Sequence, residues 1–301
     1  MRRVALIHNP AAGQRRRLSQ RGRGLDALLD TLRAAGAEAE LRPTAGPGDA
    51  TGLARDAAAA GFEAVFALGG DGTVREVAAG LLGIGVPLGI LPGGTVNLLA
   101  RAFGLPGDPL AAAALLPRLV PRRLDVGLAG ATPFLMMVSA GLDASVLGMI
   151  DGTLKRRFGR LAILAQALGE WWRYSYHQLE LTADGRPLQA SFAAVSNIPL
   201  YGGPYRLVPD ARPDDGRLKL ITFQATGRLA TLAFTLDVLR TAHVRRRDVF
   251  IQDVAEVVLA GPPGAAAQVD GDVCRERLPL RIRLSPDLVH VLAPRLEIAA
   301  P

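Results

Sequence analysis

The chain has 301 residues, of which 49% are hydrophobic and 21% charged: enough for two domains with sizeable cores, and too apolar for a disordered chain. The formal net charge of +7, nearly all from arginine, fits anionic partners such as nucleotides or acidic lipid headgroups, and equally a plain solubility surplus. Aromatics at 5% leave little material for base stacking, so nucleic acid is not an expected partner, and the single cysteine, Cys274, excludes an intramolecular disulfide and a multi-cysteine zinc site and fits a reducing compartment.

The apolar part of Met1-Arg2-Arg3-Val4-Ala5-Leu6-Ile7 is too short for a secretory signal. Residues 4–8 read as a buried strand, with His8 in the core, and run into the turn Asn9-Pro10-Ala11-Ala12-Gly13. Residues 15–35 have helical spacing, with Leu25, Leu28, Leu29 and Leu32 on one face and Gly36 as the stop. A strand at 37–42, a helix at 50–60 and a third strand at 64–68 follow. The third strand ends in Gly69-Gly70-Asp71-Gly72-Thr73, ahead of a helix at 74–82. A fourth strand at 87–91 leads into Pro92-Gly93-Gly94-Thr95. Strands alternating with helices predict a parallel sheet covered on both faces, with every glycine turn at the strand C-terminal edge, where open α/β sheets bind ligands.

The pattern changes near residue 122. Short strand-like runs at 124–128, 134–139, 177–182, 188–196, 218–223, 254–259 and 280–284 are interrupted by helices at 154–173 and 229–242. Ala183-Asp184-Gly185 and Asp214-Asp215-Gly216 read as hairpin turns, and 261–267 as an exposed loop. These predict two domains: an α/β unit at 1–123, then an antiparallel β-sandwich at 124–301 whose extreme C-terminus returns to the first. The longest apolar run, from Phe134 to Ile150, contains Asp143 and falls short of the roughly 20 residues of a spanning helix. The protein is therefore expected to be soluble and cytoplasmic, with only peripheral membrane contact. Two basic stretches, Leu154-Lys155-Arg156-Arg157-Phe158-Gly159-Arg160 running on to Trp171-Trp172-Arg173-Tyr174, and Arg245-Arg246-Arg247, read either as solvated charge or as contacts to acidic lipid.

The glycine turns carry the chemistry. Glycines let backbone N–H groups approach a ligand, and a helix N-terminus offers an anion unpaired N–H groups and the positive end of its dipole. Asp71 sits inside such a turn, where it would repel phosphate unless a cation or hydroxyl lay between them. Neither the dinucleotide GxGxxG fingerprint nor the GxxxxGK[ST] loop is present. Converging at one sheet edge, the turns after the first, third and fourth strands describe a triphosphate cradle.

The series NPxAG (Asn9 to Gly13), GGDGT (Gly69 to Thr73) and PGGTxN (Pro92 to Asn97) resembles the diacylglycerol kinase catalytic family, which includes the sphingosine and ceramide kinases. Ser139-Ala140-Gly141-Leu142-Asp143-Ala144, Tyr201-Gly202-Gly203, Val208-Pro209-Asp210-Ala211, Asp214-Asp215-Gly216-Arg217-Leu218 and Gln268-Val269-Asp270-Gly271-Asp272 extend the likeness in order over nearly the whole chain. The resemblance implies a phosphofructokinase-like α/β domain, a C-terminal β-sandwich, ATP between them, and phosphoryl transfer to a lipid hydroxyl. It implies nucleotide contacts at Asn9, Pro10, Ala11, Ala12, Gly13, Thr44, Gly70, Asp71, Gly72, Thr73, Val74, Arg75, Glu76 and Thr95. It also implies a structural Mg²⁺ held by Asp215 and the main-chain carbonyls of Arg212 and Arg217, oxygen donors suited to a hard cation.

The family's catalytic Glu corresponds here to Asp272, a carboxylate withdrawn by one methylene, roughly 1.5 Å. Asp272 is read as the base, with Asp71 as its rival and as the group that positions phosphate and Mg²⁺. Leu98 stands where the family often has an acid, and Arg75, expected to face solvent, where it usually has Asn. An NAD kinase, which shares GGDGT, and a nucleotide-binding membrane-surface protein with weakened catalysis are the alternatives. The oligomeric state stays open, a homodimer included.

Overall fold

The computed structural model describes residues 3–10, 24–149, 168–262, 265–274, 276 and 278–295. The chain divides into two compact units, Met1–Leu124 with Pro286–Pro301, and Asp125–Ser285.

The first unit alternates β1 (Arg3–His8), α1 (Gly24–Ala34), β2 (Glu38–Pro43), α2 (Asp49–Ala59), β3 (Ala64–Gly69), α3 (Asp71–Leu81), β4 (Leu88–Pro92), α4 (Leu98–Ala102) and α5 (Pro109–Ala114). Its strands pair in parallel in the order β2-β1-β3-β4, and Val291, from a strand late in the chain, adds in parallel beside Leu88 of β4. Strands β3 and β4 are buried end to end, which is why they read as unbroken apolar runs. Val4, Leu6, Phe66 and Leu68 share a core with Leu28 and Leu32 of α1, Ala112 and Ala113 of α5, and Leu292.

The second unit begins within β5 (Leu119–Ala129). Then come β6 (Thr132–Phe134), β7 (Met137–Ala140), α6 (Leu142–Met149), a helical stretch at 168–173, β8 (Leu179–Ala183), β9 (Arg186–Ala190), β10 (Phe192–Ser196), β11 (Leu200–Tyr201), β12 (Tyr205–Arg206) and β13 (Leu218–Phe223). It continues with α7 (Arg228–Leu239), β14 (Val249–Val254), β15 (Glu256–Ala260), β16 (Ala267–Val269), β17 (Asp272–Val273) and the start of β18 (Leu280–Pro294). One antiparallel sheet runs β14-β13-β10-β7-β16-β17; the other runs β18-β15-β8-β9, with β5 beside β18 and β6. Phe134, Val138, Val195, Leu220, Val257 and Ile282 meet in the core between the sheets. The opposite face of the first sheet is covered too: Phe192, Ile221 and Phe223 pack against Phe234 and Val238 of α7. Both sides of β10 and β13 are thus buried, so their apolar runs show no alternation.

Several boundaries differ from the sequence expectation, each for a tertiary reason. The run 188–196 breaks at Ser191, whose N–H donates to Phe223 O (2.8 Å) and whose hydroxyl donates to Ala225 O (2.6 Å). The run 134–139 breaks at Leu135 and Met136, whose N–H groups are taken by the Asp270 carboxylate. Helix α3 begins at Asp71, three residues earlier than expected, because the glycine turn itself winds into its first turn. The 254–259 run is two strands meeting at Ala255, and the expected 280–284 strand extends to Pro294. Asp184-Gly185 is a two-residue hairpin turn, both residues at positive φ (47° and 80°), joining β8 to β9. Asp214-Asp215-Gly216 is not a hairpin: it precedes β13, which pairs with β10 and β14. Gly261 and Pro262 are half-buried, and Ala267 already belongs to β16.

Candidate active site

The C-terminal edge of the first unit's sheet gathers the sequence-marked turns. Asn9 leaves β1 with its N–H on Leu68 O (3.2 Å) and its side-chain amide donating to Thr73 Oγ1 (3.2 Å). Thr44, just past β2, is buried and donates its N–H to His8 O (2.9 Å). The turns after β3 and β4 pack backbone to backbone. Gly93 N–H donates to Gly69 O (2.7 Å), and a Cβ on Gly94 would lie 2.7 Å from Gly70 Cα and 2.9 Å from Asn97 Oδ1. No side chain fits there, and a Cβ on Gly69 would lie 2.5 Å from Thr73 Oγ1, which is the physical reason for glycine at these two positions.

Helix α3 starts from Gly70, which has no side chain to cap it, and its first internal bond is Val74 N–H to Gly70 O (3.1 Å). The N–H groups of Asp71, Gly72 and Thr73 precede that bond, so this helix end carries the positive dipole pole suited to phosphate. Thr95, on the turn after β4, is exposed. His8 is half-buried, and burial pushes its imidazole below the usual value, so it adds no positive charge near neutral pH.

Three residues of the expected nucleotide set have other work. The Asp71 carboxylate accepts the N–H groups of Leu98 (3.1 Å) and Leu99 (3.3 Å), fixing α4 to the glycine turn. Glu76 accepts the N–H groups of Gly48 (2.8 Å) and Ala50 (3.3 Å) and so caps α2. Val74 is buried to 1% and its N–H is spent within α3. Arg75, expected in solvent, is half-buried. Ala11, Ala12 and Gly13 lie outside the described residues. Asn97, quoted in the sequence only as part of a motif, proves to be the clasp of the β4 turn. At φ 52° its amide accepts from Gly94 N–H and donates to Gly94 O, both at 2.9 Å.

In the second unit the Asp270-Gly271-Asp272 turn separates two carboxylates by role. Asp270, buried, accepts N–H groups from Leu135 (2.8 Å), Met136 (2.9 Å) and Met137 (2.9 Å) and pins the β6–β7 corner. Asp272 is exposed on β17. A chain of polar groups runs inward from this turn: Gly271 N–H donates to Gln268 Oε1 (2.7 Å), Gln268 Nε2 to Ser139 Oγ (2.7 Å), and Ser139 and Tyr201 hydroxyls both to Asp143 Oδ2. Among the described residues Asp143 Oδ1 is buried with no side-chain partner, and burial pushes its carboxyl above the ordinary value despite these hydrogen bonds. This chain is not visible in the sequence, because its members are far apart in order and strand pairing such as Gln268 opposite Ser139 brings them together.

The 212–217 turn rests on buried Asp125, whose N–H donates to Pro213 O (2.7 Å) and whose carboxylate accepts Gly216 N–H. Asp215 is exposed, with Oδ1 accepting Arg217 N–H (3.1 Å). An exposed carboxylate on a turn of main-chain carbonyls is an all-oxygen donor set and fits a hard cation. Among the described residues no three His, Cys, Asp or Glu groups cluster as a ready-made metal site. Of the two basic stretches, 154–160 lies outside the described residues. In the other, Arg246 is not solvated charge but is gripped by Asp248 (2.8 Å) and Asp237 (2.9 Å), while Arg245 and Arg247 are exposed. No helix among the described residues is long and apolar enough to cross a membrane.

Comparison with known proteins agrees with this arrangement. Residues 3–129 match the diacylglycerol kinase catalytic domain, and residues 136–293 match the YegS C-terminal NAD kinase beta sandwich-like domain. A "Probable lipid kinase YegS-like" protein of Pseudomonas aeruginosa (strain UCBPP-PA14) is 34% identical over 277 residues, 89% of each chain. The "Diacylglycerol kinase" of Bacillus subtilis (strain 168) is 29% identical over 257 residues, 81% of this chain and 82% of that one. A crystal structure of a candidate diacylglycerol kinase from Bacillus anthracis str. Sterne superposes with a TM-score of 0.80 at 26% identity, covering 97% of this chain and 95% of that one. The α/β unit with its glycine-lined edge and the antiparallel sandwich are the two parts these proteins share, and the chain belongs to the diacylglycerol kinase family of lipid kinases, phosphotransferases with an alcohol group as acceptor.

Proposed function

We propose that the protein transfers the γ-phosphate of ATP to a hydroxyl of a diacylglycerol-like or sphingoid lipid at a membrane surface that it visits peripherally. The observation that carries this reading is the meeting of the β1, β3 and β4 turns around the uncapped N-terminus of α3. In this reading Asn9, Pro10, Ala11, Ala12, Gly13, Thr44, Gly70, Gly72, Thr73, Arg75 and Thr95 line the nucleotide. Asp71, Val74 and Glu76 act by holding the turn and its neighbouring helices in shape.

Phosphoryl transfer needs positioning and charge neutralisation more than covalent help from the protein. Backbone N–H groups at α3 meet the phosphate charge, and Asp272 accepts the hydroxyl proton as the oxygen bonds to phosphorus and ADP leaves. Asp215, with the carbonyls of Arg212 and Arg217, would hold Mg²⁺, which supplies positive charge and fixes the turn before β13.

Radiolabelled ATP incubated with a panel of lipids and with NAD, read by chromatography, tests the donor and the acceptor class together. Label on a lipid but not on NAD is expected. Asp272→Asn should lower turnover at least about 100-fold, within the range for losing a general base. Near-normal turnover would remove Asp272 from this role.

A further inference from the structure

We propose that the outward face of α7, with Trp172 beside its first turn, is the surface by which the protein docks on an anionic lipid bilayer. The proposal rests on the lipid-kinase reading for its purpose, but draws its evidence from none of that site's residues.

Helix α7 is apolar on both sides. Phe234 and Val238 are buried, with the Phe234 ring stacked on Phe223 at 4.4 Å and tilted against Phe192 at 5.6 Å. The opposite side carries Leu229, 79% exposed, and exposed Leu232, Leu236 and Leu239. Steps of three, four and three residues place these leucines in one stripe along the helix. A single exposed leucine needs no explanation, whereas a contiguous stripe marks a contact surface.

The charge around the stripe selects the partner. Arg228 opens the helix, Arg240 closes it, and both are exposed. The acidic residue of α7, Asp237, is half-buried and bound to Arg246 (2.9 Å), so no exposed carboxylate of this helix interrupts the face. Arg245 and Arg247 follow, both exposed. At the first turn Trp171 Nε1 donates to Arg228 O (3.0 Å), and the Arg228 guanidinium lies 4.5 Å over the ring of Trp172, itself 61% exposed. Leucines between cationic ends with an indole at the margin form the pattern of a helix lying in the bilayer interface. The leucines enter the acyl boundary, the indole sits at headgroup level, and the arginine stems reach to the lipid phosphates. Pairing with a second copy across a two-fold axis would instead oppose arginine to arginine.

The test is co-sedimentation of the full chain with phosphatidylglycerol–phosphatidylcholine vesicles and with phosphatidylcholine vesicles alone. Wild type should pellet with the anionic vesicles. Leu229→Glu with Leu236→Glu should lower partitioning about 100-fold, and Arg228→Gln with Arg240→Gln about tenfold on anionic vesicles only. All four positions are exposed, so thermal midpoints of the variants should match wild type. Absence of wild-type binding, equal binding by the variants, or a dimer broken by the leucine changes without vesicle binding would each overturn the proposal. Phosphate transfer to a short-chain diacylglycerol in detergent, measured in the same preparations, separates the two readings. It should persist in both variants, and its absence in wild type, with a short-chain sphingoid acceptor failing too, alongside intact vesicle binding would take down the kinase reading and leave the docking surface standing.

Discussion

At the scale of single residues, carboxylates that look alike in sequence differ by what their surroundings ask of them. Asp270 and Asp272 are two positions apart, yet Asp270 neutralises three backbone donors and Asp272 faces solvent. Asp270→Ala strands those donors in the interior and should cost at least about 3 kcal/mol of stability, read by urea unfolding. Asp272→Asn should leave stability within about 0.5 kcal/mol, so any change there is one of turnover. Asp143 offers a test by pH. Its carboxyl is raised by burial, so between the ordinary carboxyl pKa and its own the folded protein keeps a proton that the unfolded chain has released. Stability is therefore lost as pH rises through that window. Asp143→Asn removes the loss, and its thermal midpoint should exceed wild type at pH 8, with the gap closing toward pH 4. Asp248 and Asp253 are lowered by arginine and lysine partners and give the opposite slope, stabilising above the ordinary carboxyl pKa and failing as pH falls. Both proteins share them, so the difference isolates Asp143; parallel pH curves would refute it.

At the scale of elements, two helices of the first unit, α2 and α4, are capped by carboxylates of a third, α3. Gly48 stands at the N-cap of α2 in a left-handed conformation (φ 90°) and has no side chain to offer, so Glu76, midway along α3, supplies the missing acceptor. Asp71 does the same for α4. Glu76→Ala should therefore cost about 1 kcal/mol, the usual worth of an N-cap, in a urea titration. An unmoved midpoint would mean that the carboxylate does not cap. Position along the chain gives no hint of such pairs: the family resemblance sets Glu76 beside the nucleotide, whereas its carboxylate is taken up by backbone N–H groups 26 and 28 residues away. The leucines of α7 make the same point. Their spacing puts them on one face, and that face turns outward while Phe234 and Val238 fill the core. Periodicity shows that a helix has faces, not which one the sheet takes.

For the whole molecule, legibility followed the range of the forces involved. The parallel sheet of the first unit was readable from local signals: β3 and β4 are buried on both faces and end in glycines that no side chain could replace. The sandwich was readable as a class but not in its joints, since the breaks at Met136 and Ser191 are made by partners more than thirty residues away. The turns converging at α3 were identifiable because glycine there answers a local need. The inward chain from Gly271 to Asp143 was hidden, because strand pairing brings its members together.

The late strand beside β4 also bears on how the chain is made. Residues 286–294 complete the core of the first unit through Val291 and Leu292, yet a ribosome reaches them only after all of residues 125–285. Throughout that interval β4, the strand that delivers the Pro92-Gly93-Gly94 turn, has a bare edge, the kind of template on which nascent chains aggregate. The unit whose synthesis starts first is the last to be finished.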